Sequence, residues 1–181
     1  MPGLRSDADG HGPFLAPVCH GEGAGVLYWY GASHISLAEN SRRYRIANRL
    51  ESMPWARSYV GRVIPQETLV GIHTVVSLRP YVDPLALRQI QQLRSRDIRV
   101  VADYDDLLFD CPLDDFPGAD HLFRRLQIGS RLQTYRESVQ HFDAFTASTR
   151  PIADALRAMR PDAAISVVPN QPSPSWVARG W

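Results

Sequence analysis

Three carboxylates within four positions, Asp103, Asp105 and Asp106, close the stretch Val100-Val-Ala-Asp103-Tyr-Asp105-Asp106-Leu-Leu-Phe109. An apolar run that ends in acids reads as a buried strand surfacing at its carboxyl end, where α/β sheets hold their ligands. Like charges so close repel one another unless they are solvated, paired with arginine, or engaged by a cation or by ligand hydroxyls. Asp103 and Asp105 have a spacing that can hold Mn²⁺ or Mg²⁺ against a nucleotide diphosphate. The plainer alternative is that Asp105 and Asp106 cap the next segment and stand in water. Cations are placed at comparable positions. Arg43 and Arg45 follow the first apolar strand on a helical stretch and can meet a phosphate or carboxylate, or else Arg42, Arg45 and Arg49 form a solvated stripe. Arg79 directly follows another apolar run and can pair with Asp103 or Asp105. Gly31 permits close backbone approach after the first strand, or simply turns the chain, and His34 lies within reach of the same end.

These residues need a scaffold, and the hydrophobic pattern supplies one. Val26–Tyr30 reads as a buried strand, with Tyr28, Trp29 and Tyr30 as core aromatics. A helix is predicted from Ser36 to about Ser52, with strands at Ser58–Ile64 and Thr74–Leu78 after it. Asp83-Pro84 starts a helix, Asp as cap and Pro in the first turn, that ends near Arg96. Arg99–Asp103 is the strand bearing the acids. A helix from about His121 to His141 places Ile128, Leu132, Tyr135 and Val139 on one face. Ala144–Ala147 is a strand, Ser148 and Thr149 lead into a helix carrying Ile152, Ala155, Leu156 and Met159, and Ile165–Val168 is the last strand. The prolines beyond Asn170 leave no room for another element. Strands alternating with helices imply right-handed crossovers and a mainly parallel sheet. The fold expected is a Rossmann-like α/β three-layer sandwich.

Composition narrows the function classes. The chain has 181 residues, 44% hydrophobic and 22% charged, which is ordinary for a globular protein. Twenty basic residues, all arginine, against nineteen acidic ones give a net charge of +1, which argues against a nucleic-acid binder. Cys19 and Cys111 cannot build a disulfide framework, so a reducing compartment is expected. Residues 1–25 carry six glycines and three prolines without apolar periodicity and read as a flexible leader. Neither a signal-peptide pattern nor a transmembrane run of about 20 apolar residues is present, and cytoplasmic localisation is expected. No G-x-G-x-x-G follows the first strand, which disfavours dinucleotide binding.

The segments RRYRIANRL, VVSLRPYVDPLALRQIQQLRSRDIRVVADYDDLLFD, FDAFTASTRPIADALRAM and ISVVPN, in that order and spacing, resemble the N-terminal half of a bacterial GT-B glycosyltransferase of the retaining family-four type. The resemblance covers residues 26–170 and makes 171–181 the start of an interdomain linker. It implies a domain that holds the acceptor, facing a donor-binding domain across a cleft, with no metal required. Asp103, Asp105 and Asp106 match the acidic motif of that family. Arg43-Tyr-Arg45 matches its R-Y-R, Arg79-Pro its R-P/R, Ser148-Thr149 its S-T, and Val168-Pro-Asn170 its V-P-N. The implied roles are catalytic for the three aspartates, which would orient or deprotonate the acceptor. Gly31, His34, Arg43, Arg45, Arg79, Ser148, Thr149 and Asn170 would bind substrate. The implied partners are a nucleotide-sugar, through a separate C-terminal domain, and a glycan or lipid-linked acceptor, with the inner membrane face as a place of work. Gln171 stands where the family has Gly. Two other readings stand beside this one: a non-catalytic glycan- or protein-binding module on the same scaffold, and a one-domain transferase using Mn²⁺ or Mg²⁺ at Asp103 and Asp105.

Overall fold

The computed structural model describes residues 25–31, 43–53, 55–110, 112–115 and 122–178. The expected leader, apart from Gly25, lies outside the described residues, as do His34, Ser36, Cys111, His121 and Trp181. Six strands form one sheet: β1 (Val26–Tyr30), β2 (Arg57–Val60), β3 (Thr74–Leu78), β4 (Arg99–Tyr104), β5 (Ala144–Ala147) and β6 (Ala164–Val167). Every pair is parallel, in the order β2-β1-β3-β4-β5-β6. The helices are α1, π-helical over Arg43–Ala47 and α-helical over Asn48–Leu50; α2 (Pro84–Arg94); α3 (Leu122–Ser138); α4 (Arg150–Met159); and α5 (Pro174–Val177). This is the expected Rossmann-like α/β architecture.

The topology explains where ligands would sit. The first connection steps from β1 outward to β2, and all later steps run the other way across the sheet. Right-handed crossovers therefore put α1 on one face and the remaining connections on the other. The two cores record this division. Leu27, Trp29, Val75, Val100, Ala102, Tyr104 and Phe145 pack with Ile90 and Leu93 of α2 and with Ile152 and Leu156 of α4. Tyr28, Tyr30, Val76, Leu78, Val101 and Ala144 pack with Ile46 of α1. Strand alternation sorts the residues, since successive side chains point to opposite faces. The winding reverses between β1 and β3, and a doubly wound sheet opens a crevice at that point, beyond the carboxyl ends.

Local chemistry fixes the element ends. Asp83 caps α2, its Oδ1 accepting from the backbone N–H of Leu85 at 3.0 Å and of Ala86 at 2.9 Å, with Pro84 in the first turn. Such a cap contributes about 1 kcal/mol. The helix stops where Asp97 turns left-handed at φ 58° and Ile98 N–H returns to the Leu93 carbonyl. β2 is shorter than the strand expected over Ser58–Ile64. Gly61, at φ 153°, turns the chain out of the sheet, and its carbonyl accepts from Trp29 Nε1 at 2.8 Å. The tail also differs from expectation, because Pro174–Val177 form a helical turn. Proline is compatible with the first helical position, where its missing N–H is not needed. None of the helices among the described residues is long and apolar enough to cross a membrane.

Candidate functional site

The three aspartates at the end of β4 do not form one cluster. Asp103 is 1% exposed and lies on the α1 side of the sheet, beside Leu78 of β3 and Thr146 of β5 in register. Arg45, 0% exposed, meets it with two donors, Nε to Oδ2 at 2.8 Å and Nη2 to Oδ1. The Thr146 hydroxyl donates to the same Oδ1. Two parallel charge-assisted bonds give such a pair fixed geometry as well as energy. Arg45 Nη1 then reaches past the sheet to the carbonyl of Val168 and, at 3.5 Å, to Oδ1 of Asn170.

The rest of α1 continues this attachment. Asn48 Nδ2 donates to the Gln171 carbonyl at 2.8 Å, and Arg49 Nη2 to the carbonyls of Val168 at 3.2 Å and Pro169 at 3.4 Å. Two residues further on, Glu51 accepts from the Ser173 hydroxyl at 2.7 Å. The exit segment after β6 is thus tied to α1 and its C-terminal end over Val168–Ser173. Arg45 and Arg49 are buried, so they are not the solvated stripe that their spacing also allowed.

A second centre lies at the rim. Arg79 directly follows β3 in the left-handed region, φ 44°, and its N–H donates to the Asp103 carbonyl at 2.8 Å. Its Nε pairs with Asp105 and its Nη2 with Asp106. Burial by itself lowers the Arg79 pKa. The hydrogen bond and charge of Asp105 and the charge of Asp106 outweigh that effect, and the guanidinium is held above its ordinary range. Asp105 is 6% exposed and Asp106 is 56% exposed, so one arginine serves one enclosed and one open carboxylate. Ser148 closes the back of this group: its hydroxyl donates to the Asp105 carbonyl at 3.0 Å and its N–H to the Tyr104 carbonyl at 2.9 Å. Thr149 occupies the N-cap position of α4 in extended geometry, and its hydroxyl makes no capping bond.

Beside Arg79, at the reversal of winding, the chain leaves a small hollow lined by Trp29, Gly31, Leu78, Arg79, Tyr81 and Val82. A Cβ on Gly31 would stand 2.8 Å from the Trp29 ring, so the ring and a bare backbone share that floor. Tyr81 meets Tyr135 of α3 edge-on, with ring centroids 5.5 Å apart. Between the two aspartate centres, Tyr104 points to the other face and packs edge-on against Phe109 at 4.9 Å. Its hydroxyl is buried without a partner. Burial, with the charge of Tyr135 adding to it, drives the Tyr104 phenol far above its usual value.

The structure therefore brings Gly31, Arg79, Asp105, Asp106, Ser148 and Thr149 to one end of the sheet. It places Asp103, Arg45 and Asn170 in a separate group, while Arg43 stands exposed on α1. Asn48, Arg49, Glu51, Thr146 and Ser173 were not singled out as site residues. Their signal was the polar spacing of Arg45, Asn48 and Arg49 amid the apolar Ile46 and Leu50, which places three donors on one helical side. Among the described residues no three His, Cys, Asp or Glu side chains come together as a metal site. Asp103 and Asp105 each commit oxygens to a different arginine, so a cation between them would have to displace both.

Fold and rim together define an α/β protein with a doubly wound parallel sheet and a polar group at its switch-point end. No protein-family model matches the chain, and no curated protein matches it. Among solved structures it is similar to a conserved protein from Enterococcus faecalis V583, with 13% identity and a TM-score of 0.35. The match covers 80% of this chain and 92% of that one.

Proposed function

We propose that this chain is the acceptor-side domain of a retaining, metal-independent glycosyltransferase, working with a donor-binding domain that supplies the nucleotide-sugar. The observation that carries the reading is the Arg79–Asp105–Asp106 group beside the β1/β3 reversal, with Gly31 and Thr149 at the same end of the sheet. Two carboxylates against one guanidinium leave an excess negative charge, with Asp106 open to solvent. Such a group accepts hydrogen bonds from sugar hydroxyls and repels phosphate. Arg79 fixes the carboxylates so that a hydroxyl they orient meets the donor in one geometry, which is where the catalysis of an acceptor site comes from. The reading assigns Asp106 the contact to the acceptor, Asp105 the support of Arg79, and the Arg45–Asp103 pair the anchoring of the exit segment. It takes the acceptor to be a glycan or lipid-linked saccharide and the place of work to be the cytoplasm or its membrane face.

Nuclear magnetic resonance titration of the full chain tests it. Neutral oligosaccharides should shift the amides of Gly31, Arg79, Asp106 and Thr149, whereas UDP-, GDP- and ADP-sugars leave them unmoved with or without Mn²⁺. Metal-dependent binding of a nucleotide-sugar, lost in Asp105→Asn, would overturn the reading in favour of a one-domain transferase.

A further inference from the structure

Arg49 is 5% exposed, yet no carboxylate pairs with it among the described residues. Its Nε is buried without a partner, and its Nη2 makes two long bonds, to the carbonyls of Val168 and Pro169. A buried cation ordinarily has a counter-charge, since carbonyl dipoles replace only part of its lost hydration. One turn earlier, Arg45 has that counter-charge in Asp103 and shares the Val168 carbonyl with Arg49. The two guanidinium groups thus converge on the same backbone oxygen with a single carboxylate between them, and the excess positive charge falls on Arg49.

We propose that Arg49 is the centre of an oxyanion site, taking a phosphoryl or carboxylate group at the junction of α1 and the exit segment. The carbonyls of Val168 and Pro169 stand where the oxygens of that group would meet Arg49 Nη2. Val168 is held in place because its N–H donates to the Ala147 carbonyl at 2.7 Å and extends the β5–β6 ladder. The Pro169 carbonyl, at 3.4 Å, has the weaker hold and is the one that gives way. An anion there gains two kinds of donor, the free Nε and the released Nη2, in the forked arrangement that suits phosphate and carboxylate. Binding then loosens the segment after Val168, which is otherwise kept by Asn48 at Gln171 and by Glu51 at Ser173. This site lies apart from the Arg79 group and does not require glycosyl transfer.

The test is a titration of the full chain with inorganic phosphate and, separately, with acetate, read by the Arg49 Nε–H resonance and by amide exchange at Asn170, Gln171 and Ser173. Phosphate should saturate, shift the Arg49 signal and speed exchange at those amides. Arg49→Gln should weaken binding at least about tenfold, since a charge-assisted pair is lost. Arg49→Met, which removes the charge and keeps the length, should abolish binding and leave the chain folded and no less stable to heat. Asp106→Asn should leave phosphate binding unchanged, which separates failure here from failure of the acceptor site. A response to acetate equal to that of phosphate would support a site that takes either oxyanion, and a response to acetate alone would assign it to carboxylates. Absence of saturation by either anion, or equal binding by Arg49→Met, would overturn the proposal.

Discussion

Asp103 and Asp105 stand two residues apart at the end of one strand, and each is held by an arginine from a different element. Asp103 is sealed between α1 and the sheet, with Arg45 and Thr146 on its oxygens. Asp105 sits just past the strand with Arg79, and the same arginine reaches out to the open Asp106. The strand's alternation accounts for the first position, because residue 103 shares a side with Val101. The end of the strand after Tyr104 frees the second. What the difference teaches is that one run of acids can serve two purposes: an inner pair that ties distant segments together and an outer group that stays available to a ligand.

Removing the inner carboxylate should have the largest effect. Asp103→Ala leaves Arg45 buried and unpaired, and breaking such a pair from one side costs about 3–5 kcal/mol. Urea unfolding should show that loss, together with rapid amide exchange at Asn170 and Gln171. Replacing both partners by apolar groups, Arg45→Met with Asp103→Leu, should recover most of the stability. If the single and double variants were equally unstable, the inner pair would not be the anchor described above.

Arg79 should rank next. Arg79→Ala removes charge-assisted bonds to Asp105 and leaves an enclosed carboxylate without a cation, a cost of about 2 kcal/mol by denaturant unfolding. Glycine at this position should be less harmful than alanine by about 1 kcal/mol, because φ 44° is strained for any residue with a Cβ. Equal losses for the two would mean that the backbone relaxes once the ion pairs are gone.

Much of this architecture was legible in the chain, and the reasons differ by element. The apolar strands and the Asp83-Pro84 helix start were readable because alternation, periodicity and capping are local properties. Ile128, Leu132 and Tyr135 stand on one side of α3 for the same reason. The fate of Arg45 and Arg49 was not readable. Their spacing fits a solvated stripe as well as a buried face, and the partner that decides it, Asp103, is 58 residues away. Proline after Asn170 suggested that structure had ended, yet proline also suits a first helical turn, which Pro174 begins. The split of the aspartates depends on where β4 stops, and strand ends are set by pairing with β5, which no single segment announces.

Tyr104, between the two centres in sequence and on the opposite face of the sheet from Asp103, gives a smaller test of how dry that opposite face is. Its partnerless hydroxyl means that Tyr104→Phe should gain about 1 kcal/mol rather than lose it. Its folded pKa is raised, so the folded chain keeps a proton that the unfolded chain loses above about pH 10. Stability is then flat below that pH and falls as pH rises through it, and Tyr104→Phe should make the fall shallower. The raised phenol of Tyr135, in which burial is again the first cause, accounts for a residual slope. An alkaline limb unchanged in Tyr104→Phe would show that water reaches the phenol.

Asp106→Asn should have the smallest effect on the fold and the clearest effect on the rim. The side chain is half open, and the pair it makes with Arg79 is screened by solvent, so the loss in thermal unfolding should stay below about 1 kcal/mol. Asp105 still holds Arg79 in this variant, which keeps the hollow and the left-handed turn as they are. An acceptor hydroxyl that Asp106 orients would nonetheless lose a charged partner, and binding of a neutral oligosaccharide should weaken about tenfold or more. Asp103→Asn should weaken it only in proportion to the fraction of chain unfolded. The two variants therefore separate the centres by opposite ratios of stability loss to binding loss. If Asp106→Asn bound oligosaccharide as the native chain does, the outer group would be a structural pair like the inner one, and the contrast between them would reduce to a difference in exposure.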